Sequence, residues 1–110
     1  MAVEPFNLDP VIITVANTAV ALSTGLTTVA TDRAVTSVSI QADKDNDGDV
    51  YLGGPEVTTV NGICLGPGDN LDFTADMARN QSEEMLLSRI FVNSSQTGNK
   101  VRVIAFRRTP

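Results

Sequence analysis

The sequence predicts an all-β chain: an antiparallel β-sandwich, jelly-roll or immunoglobulin-like, of about eight short strands. It also predicts an extended N-terminal arm and at most one short helix. Three observations carry this reading. Thr and Val recur throughout, and β-branched side chains suit a pleated, half-buried surface. Gly, Asn and Asp interrupt the apolar runs at short intervals, which marks turns. Helix-length patterns with a 3.6-residue period are nearly missing. At 110 residues the chain has the length of one domain and buries roughly two-thirds of its unfolded surface without staples. Charged residues are only 19%, so part of the surface is expected to be covered in the working state.

Taken in order, residues 1–10 carry Pro5 and Pro10 and no period, and read as an extended arm; residues 11–110 form the sandwich. Val11 to Val15 is the first strand. Residues 17–22 and 26–31 are strand-like, broken at Ser23-Thr24-Gly25. Val35 to Ala42 alternates most clearly, with Val38, Ile40 and Ala42 on one face and Ser37, Ser39 and Gln41 on the other. Asp43 to Asp49 is a polar loop. Val50 to Gly53 returns as a strand with Val50 and Leu52 inward. Glu56 to Val60 and Ile63 to Leu65 read as strands joined at Asn61-Gly62, a tight-turn dipeptide. Gly66-Pro67-Gly68-Asp69 turns the chain again, and Leu71 and Phe73 share a face of the next strand. Residues 75–88 read as a short helix or crossover, with Ser82 as cap and Glu83 and Glu84 near its positive end. Ile90 and Val92 face inward, Asn93 to Asn99 is a loop, and Lys100 to Arg107 is the last strand. Its Val101, Val103 and Ala105 fill one face; Arg102, Ile104, Phe106 and Arg108 line the other.

Composition excludes several chemistries. The chain has no His, which removes Ser-His-Asp and Cys-His catalysis, His-ligated zinc and a His pH switch. One cysteine, Cys64, allows no intrachain disulfide. No Trp and one Tyr leave few platforms for sugars or bases. A formal net charge of −5 argues against a non-specific nucleic-acid binder. No apolar run approaches the ~18–20 residues that span a bilayer, and Met1 to Pro5 does not read as a signal peptide. The expected site of synthesis is a cytoplasm.

Candidate sites follow from the residues left. Asp43, Asp45, Asp47 and Asp49, with Gly48, resemble the start of a calcium loop, since hard cations need several converging oxygen ligands. The twelfth position, where such a loop needs a bidentate acid, is Gly54, and a solvated hairpin loop is the plainer reading. Cys64, between Ile63 and Leu65, has no activating base and reads as a small buried residue. Asp69, Asp72 and Asp76 read as turn and surface residues rather than paired catalytic carboxylates. Asn93-Ser94-Ser95 matches a glycosylation acceptor but reads as a loop. No base-plus-nucleophile set is present, so an enzyme is not expected.

Five stretches carry a resemblance: Val38-Ser39-Ile40-Gln41-Ala42; Gly48-Asp49-Val50-Tyr51-Leu52-Gly53-Gly54; residues 62–69, Gly-Ile-Cys-Leu-Gly-Pro-Gly-Asp; Arg89-Ile90-Phe91-Val92-Asn93; and Gly98-Asn99-Lys100-Val101-Arg102-Val103. Over residues 35–106 the chain resembles small β-sandwich structural proteins of tailed bacteriophage virions. The resemblance implies a capsid decoration or cement protein that needs no cofactor. Such a protein self-associates as a homo-oligomer, expected to be a trimer, and binds the major capsid protein on the outside of the head, touching neither nucleic acid nor membrane. The contact residues expected are Phe6 and Leu8 in the arm and Ile104 and Phe106 in the last strand. The alternatives are a tail or head–tail connector component of the same virion, and a calcium-dependent surface- or carbohydrate-binding module using the four aspartates of the acidic loop.

Overall fold

The computed structural model describes residues 3–26, 34–74 and 85–108. Among them are eleven strands: β1 (Val3–Asn7), β2 (Val11–Ile12), β3 (Val20–Ala21), β4 (Ala34–Val35), β5 (Ser37–Ala42), β6 (Val50–Gly53), β7 (Ile63–Leu65), β8 (Asn70–Thr74), β9 (Met85–Leu86), β10 (Phe91–Asn93) and β11 (Lys100–Arg108). Nine of them build two antiparallel sheets. The larger has the order β1-β11-β5-β8, with β2 also paired to β11; the smaller has the order β3-β10-β6-β7. Strands β4 and β9 form a separate pair. The chain is an all-β sandwich.

The alternation read from the sequence decides which faces meet. Val38, Ile40 and Ala42 of β5 and Val101, Val103 and Ala105 of β11 are buried, against Val50 and Leu52 of β6, Leu65 of β7 and Val92 of β10. β5 and β11 pair over six residues, Ser37 to Ala42 against Phe106 to Val101, so their inward faces stay in step.

The structure corrects several elements. Residues 56–60 form no strand; Val57 is buried and Val60 stands out at 92% exposure. Thr58 and Asn61 are the cause. The Thr58 N–H donates to Asn61 Oδ1 at 2.8 Å, its carbonyl accepts from the Gly62 N–H, and its hydroxyl accepts from the Val60 N–H. This local side-chain bonding outcompetes a ladder, and Asn61-Gly62 closes that turn instead of a two-residue hairpin. The first strand stops at Ile12, and only Val20–Ala21 of residues 17–22 is strand, followed by a 3-10 turn over Leu22–Gly25. The long strand breaks at Thr36, whose N–H and hydroxyl both donate to the Phe106 carbonyl. Residue 85 onward is strand and then a 3-10 turn, Leu87–Arg89, rather than helix. The expected cap Ser82, Glu83, Glu84, Asp76 and most of the strand-like stretch 26–31 lie outside the described residues.

The N-terminal segment is extended, and its described part is the edge strand of the chain's own larger sheet, in register from Val3 opposite Arg108 to Asn7 opposite Ile104. The pairing lapses near Pro10, which has no N–H to donate, and resumes at Val11. In Gly66-Pro67-Gly68-Asp69 the Asp69 N–H donates to the Gly66 carbonyl and Gly68 sits at φ 86°. That is a type II turn with Pro and Gly where the geometry wants them.

Gly53 and Gly62 make the socket that seats Val57 on the outer side of the smaller sheet. A Cβ at Gly62 would lie 2.6 Å from Val57 Cγ2 and 2.8 Å from Tyr51 Cβ. Gly62→Ala is therefore expected to destabilise the fold by about 1–3 kcal/mol, read as a lower urea midpoint with unchanged slope.

Candidate interaction surface

Residues directly opposite in an antiparallel ladder share a face. The register of the larger sheet therefore lays out its solvent side as rows. Pro5, Phe106, Ser37 and Thr74 form one row; Asn7, Ile104, Ser39 and Asp72 form the next; Arg102, Gln41 and Asn70 form a third. Ile104 and Phe106 are half-buried by these small polar neighbours and sit at the centre of the face. The Ser39 hydroxyl donates to Asp72 Oδ1 at 2.6 Å. Arg102, 62% exposed, and Asp72 are the charged side chains in these three rows. These three rows are therefore nearly neutral, with two large apolar groups at their centre, and the ladder continues beyond them at Lys100 on one end and at the Val3–Arg108 pair on the other.

Of the four residues expected to make contacts, the structure brings Ile104 and Phe106 together on this face. Phe6 lies opposite Ala105 and packs half-buried against the core. Its ring lies 4.8 Å below the Arg107 guanidinium, and Arg107 Nε donates to Glu4 Oε1 at 2.9 Å. Leu8 is 8% exposed and belongs to the chain's own core. The arm residues thus fasten β1 to β11.

The acidic loop is built differently from a cation loop. Asp43 is 1% exposed. Its Oδ1 accepts the Asp45 N–H at 2.9 Å, its Oδ2 accepts Arg102 Nε at 2.9 Å, and Lys100 Nζ lies 3.8 Å away. Asn46 pairs with the Lys100 backbone at both ends, Nδ2 to the carbonyl at 3.0 Å and Oδ1 from the N–H at 2.9 Å. Asp45, Asp47 and Asp49 are exposed. Among the described residues no three His, Cys, Asp or Glu side chains are grouped to share a metal ion.

The Asp45 N–H and Arg102 together hold the Asp43 carboxyl below its ordinary value of 3.8. A depressed folded-state value means that Asp43 stabilises the fold fully above the ordinary value and loses that contribution as pH falls through the lowered one. Asp43→Asn is therefore expected to melt below the wild type at about pH 6, and the gap is expected to narrow toward about pH 3. A gap that stays constant would contradict this account.

Beneath the acidic loop, sequence reading missed a buried polar network. Asn99 Oδ1 accepts the Asp47 N–H and its Nδ2 donates to Ser94 Oγ, which in turn donates to the Asp49 carbonyl. Asn93 Nδ2 donates to the Val57 carbonyl at 3.0 Å. Asn93, Ser94 and Asn99 are all buried, so the acceptor-like Asn93-Ser94-Ser95 is structural. Cys64 is exposed rather than buried. Its thiol donates to Asp49 Oδ2 at 3.3 Å, and partial loss of hydration together with that carboxylate pushes its pKa up. The thiolate is correspondingly disfavoured. Asp69 caps its own turn by accepting the Gly66 N–H.

No protein-family model matches the chain, and no curated protein matches it at a significant level. Among solved structures it is similar to the coat protein of Tobacco streak virus, determined as a dimer, with 11% sequence identity and a TM-score of 0.41 over 99% of this chain and 87% of that one.

Proposed function

We propose that the chain is a structural virion protein of the capsid decoration type. It binds the major capsid protein on the outside of a phage head and self-associates there, as a trimer, through a second surface. The observation that carries this reading is the middle of the outer face of the larger sheet, where Ile104 and Phe106 sit in three rows made mostly of Pro, Ser, Thr, Asn and Gln, with Arg102 and Asp72 their two charged members. Charge depletion around buried apolar anchors is the composition of an interface centre. The resemblance over residues 35–106 supports the same reading. Function here is adhesion: the shell covers apolar surface that water otherwise faces, and neighbouring capsomers are tied together. Phe6 and Leu8 contribute indirectly, by fixing β1 beside β11 so that Pro5 and Asn7 extend the face.

The test is co-sedimentation of the purified chain with expanded, undecorated tailed-phage heads, followed by electron microscopy. Symmetric added density on the heads is the expected result. Heads that remain bare at saturating protein would overturn the proposal.

A further inference from the structure

A second surface lies between the edges of the two sheets. Leu52, Ile63, Phe73, Leu86 and Ile90 line an apolar groove of about 530 Å³, with the Gly53–Gly54 backbone on one wall and Arg89 at the rim. Ile63 is 51% and Leu86 41% exposed, so the groove opens to water. Beyond the shared Gly53–Gly54 wall stands the 58–62 turn, which carries Val60 outward at 92% exposure. The Thr58 and Asn61 bonds described above hold that side chain in place, so presenting it costs little ordering entropy.

Charge follows the same division. Glu56 is exposed beside the Val60 turn and Arg89 is exposed at the groove. Neither takes part in an ion pair among the described residues. Among the described residues, then, an apolar knob is flanked by an acid with no ion-pair partner, and an apolar groove by a base with none. The chain's own knob does not fill its own groove.

We propose that the groove receives the Val60 turn of a second copy, with Glu56 of that copy meeting Arg89. Knob and groove are unlike surfaces, so the contact runs head to tail and closes into a ring when the rotation between copies closes. The inference concerns contact between copies and uses none of the Ile104 face.

The test is sedimentation velocity of the full chain over a concentration series up to roughly 1 mM, the range in which weak association shows. The wild type is expected to associate. Val60→Lys and Ile63→Lys are expected to leave it monomeric. E56R and R89E, which place like charges together, are each expected to weaken association by roughly tenfold or more. The double variant E56R/R89E is expected to recover it. All four side-chain changes fall on exposed positions, and melting curves verify folding. A monomeric wild type, association unchanged in Val60→Lys, or a double variant as weak as the singles would overturn the inference. Since no capsid enters the assay, its failure is separate from failure of head binding, and head binding by a monomeric chain would uphold one proposal and not the other.

Discussion

Ile40→Ala is expected to cost about 2–5 kcal/mol of folding stability, a large share of the ~5–15 kcal/mol that a domain of this size commands. Ile40 is fully buried, with Val103 beside it on β11 and Leu71 on β8. Truncation removes apolar contacts from the middle of the larger sheet and leaves a cavity that the paired backbones cannot close. Ile104→Ala is the matched control. It sits on the adjacent strand, one residue beyond the partner of Ile40, but on the other face, and is expected to cost less than about 1 kcal/mol. Urea unfolding of both variants measures the difference directly. Equal losses would mean that the two faces of the sheet are assigned wrongly.

Ile104→Asp is expected to weaken docking to phage heads by roughly 30-fold or more, about the 2 kcal/mol of a central hot spot, while shifting the melting temperature little. A carboxylate at that position must be desolvated against the shell without a partner, whereas in the free protein it stays hydrated. Co-sedimentation across a protein titration gives the affinity. Phe106→Asp, in the next row of the same face, is expected to act in the same direction. If both variants bind heads like the wild type, the docking surface lies elsewhere on the chain.

What the sequence made legible, and what it hid, divides by the range of the forces involved. The inward faces of β5, β6 and β11 were readable because a period of two reports burial directly: Val38, Ile40 and Ala42 alternate with Ser and Gln, and all three are buried. The Gly66-Pro67-Gly68-Asp69 turn was readable because each residue has a local reason for its position. Residues 56–60 misread because β-branched Val57, Thr58 and Val60 mimic a strand, while the Thr58 hydroxyl and the Asn61 amide favour a turn that pattern counting does not weigh. Leu8 reads as a contact residue of an extended arm because nothing in residues 1–10 announces that Val103 accepts its N–H from 95 positions away; that bond, at 3.2 Å, is tertiary. The pairing of the acidic loop was hidden for a similar reason. The loop's spacing resembles the start of a cation loop, and the spacing alone does not show that Asp43 pairs with Arg102 and Lys100, which reach it only once β5 and β11 pair. Cys64 sits between two apolar residues in sequence, but β7 is an edge strand and turns the thiol outward beside Asp49.

The outer face of the larger sheet drew attention at the sequence level through Ile104 and Phe106 alone. The register supplied the rest, by showing that their neighbours across β1, β5 and β8 are small and almost uncharged. By the proposed function, this face, built from β1, β11, β5 and β8, grips a protein shell. An electron-microscopy reconstruction of decorated heads, detailed enough to orient the sandwich, tests it most directly. Ile104 and Phe106 are expected against the shell, with the smaller sheet turned to solvent. Density that seats the smaller sheet on the shell and leaves Ile104 and Phe106 in water would contradict it.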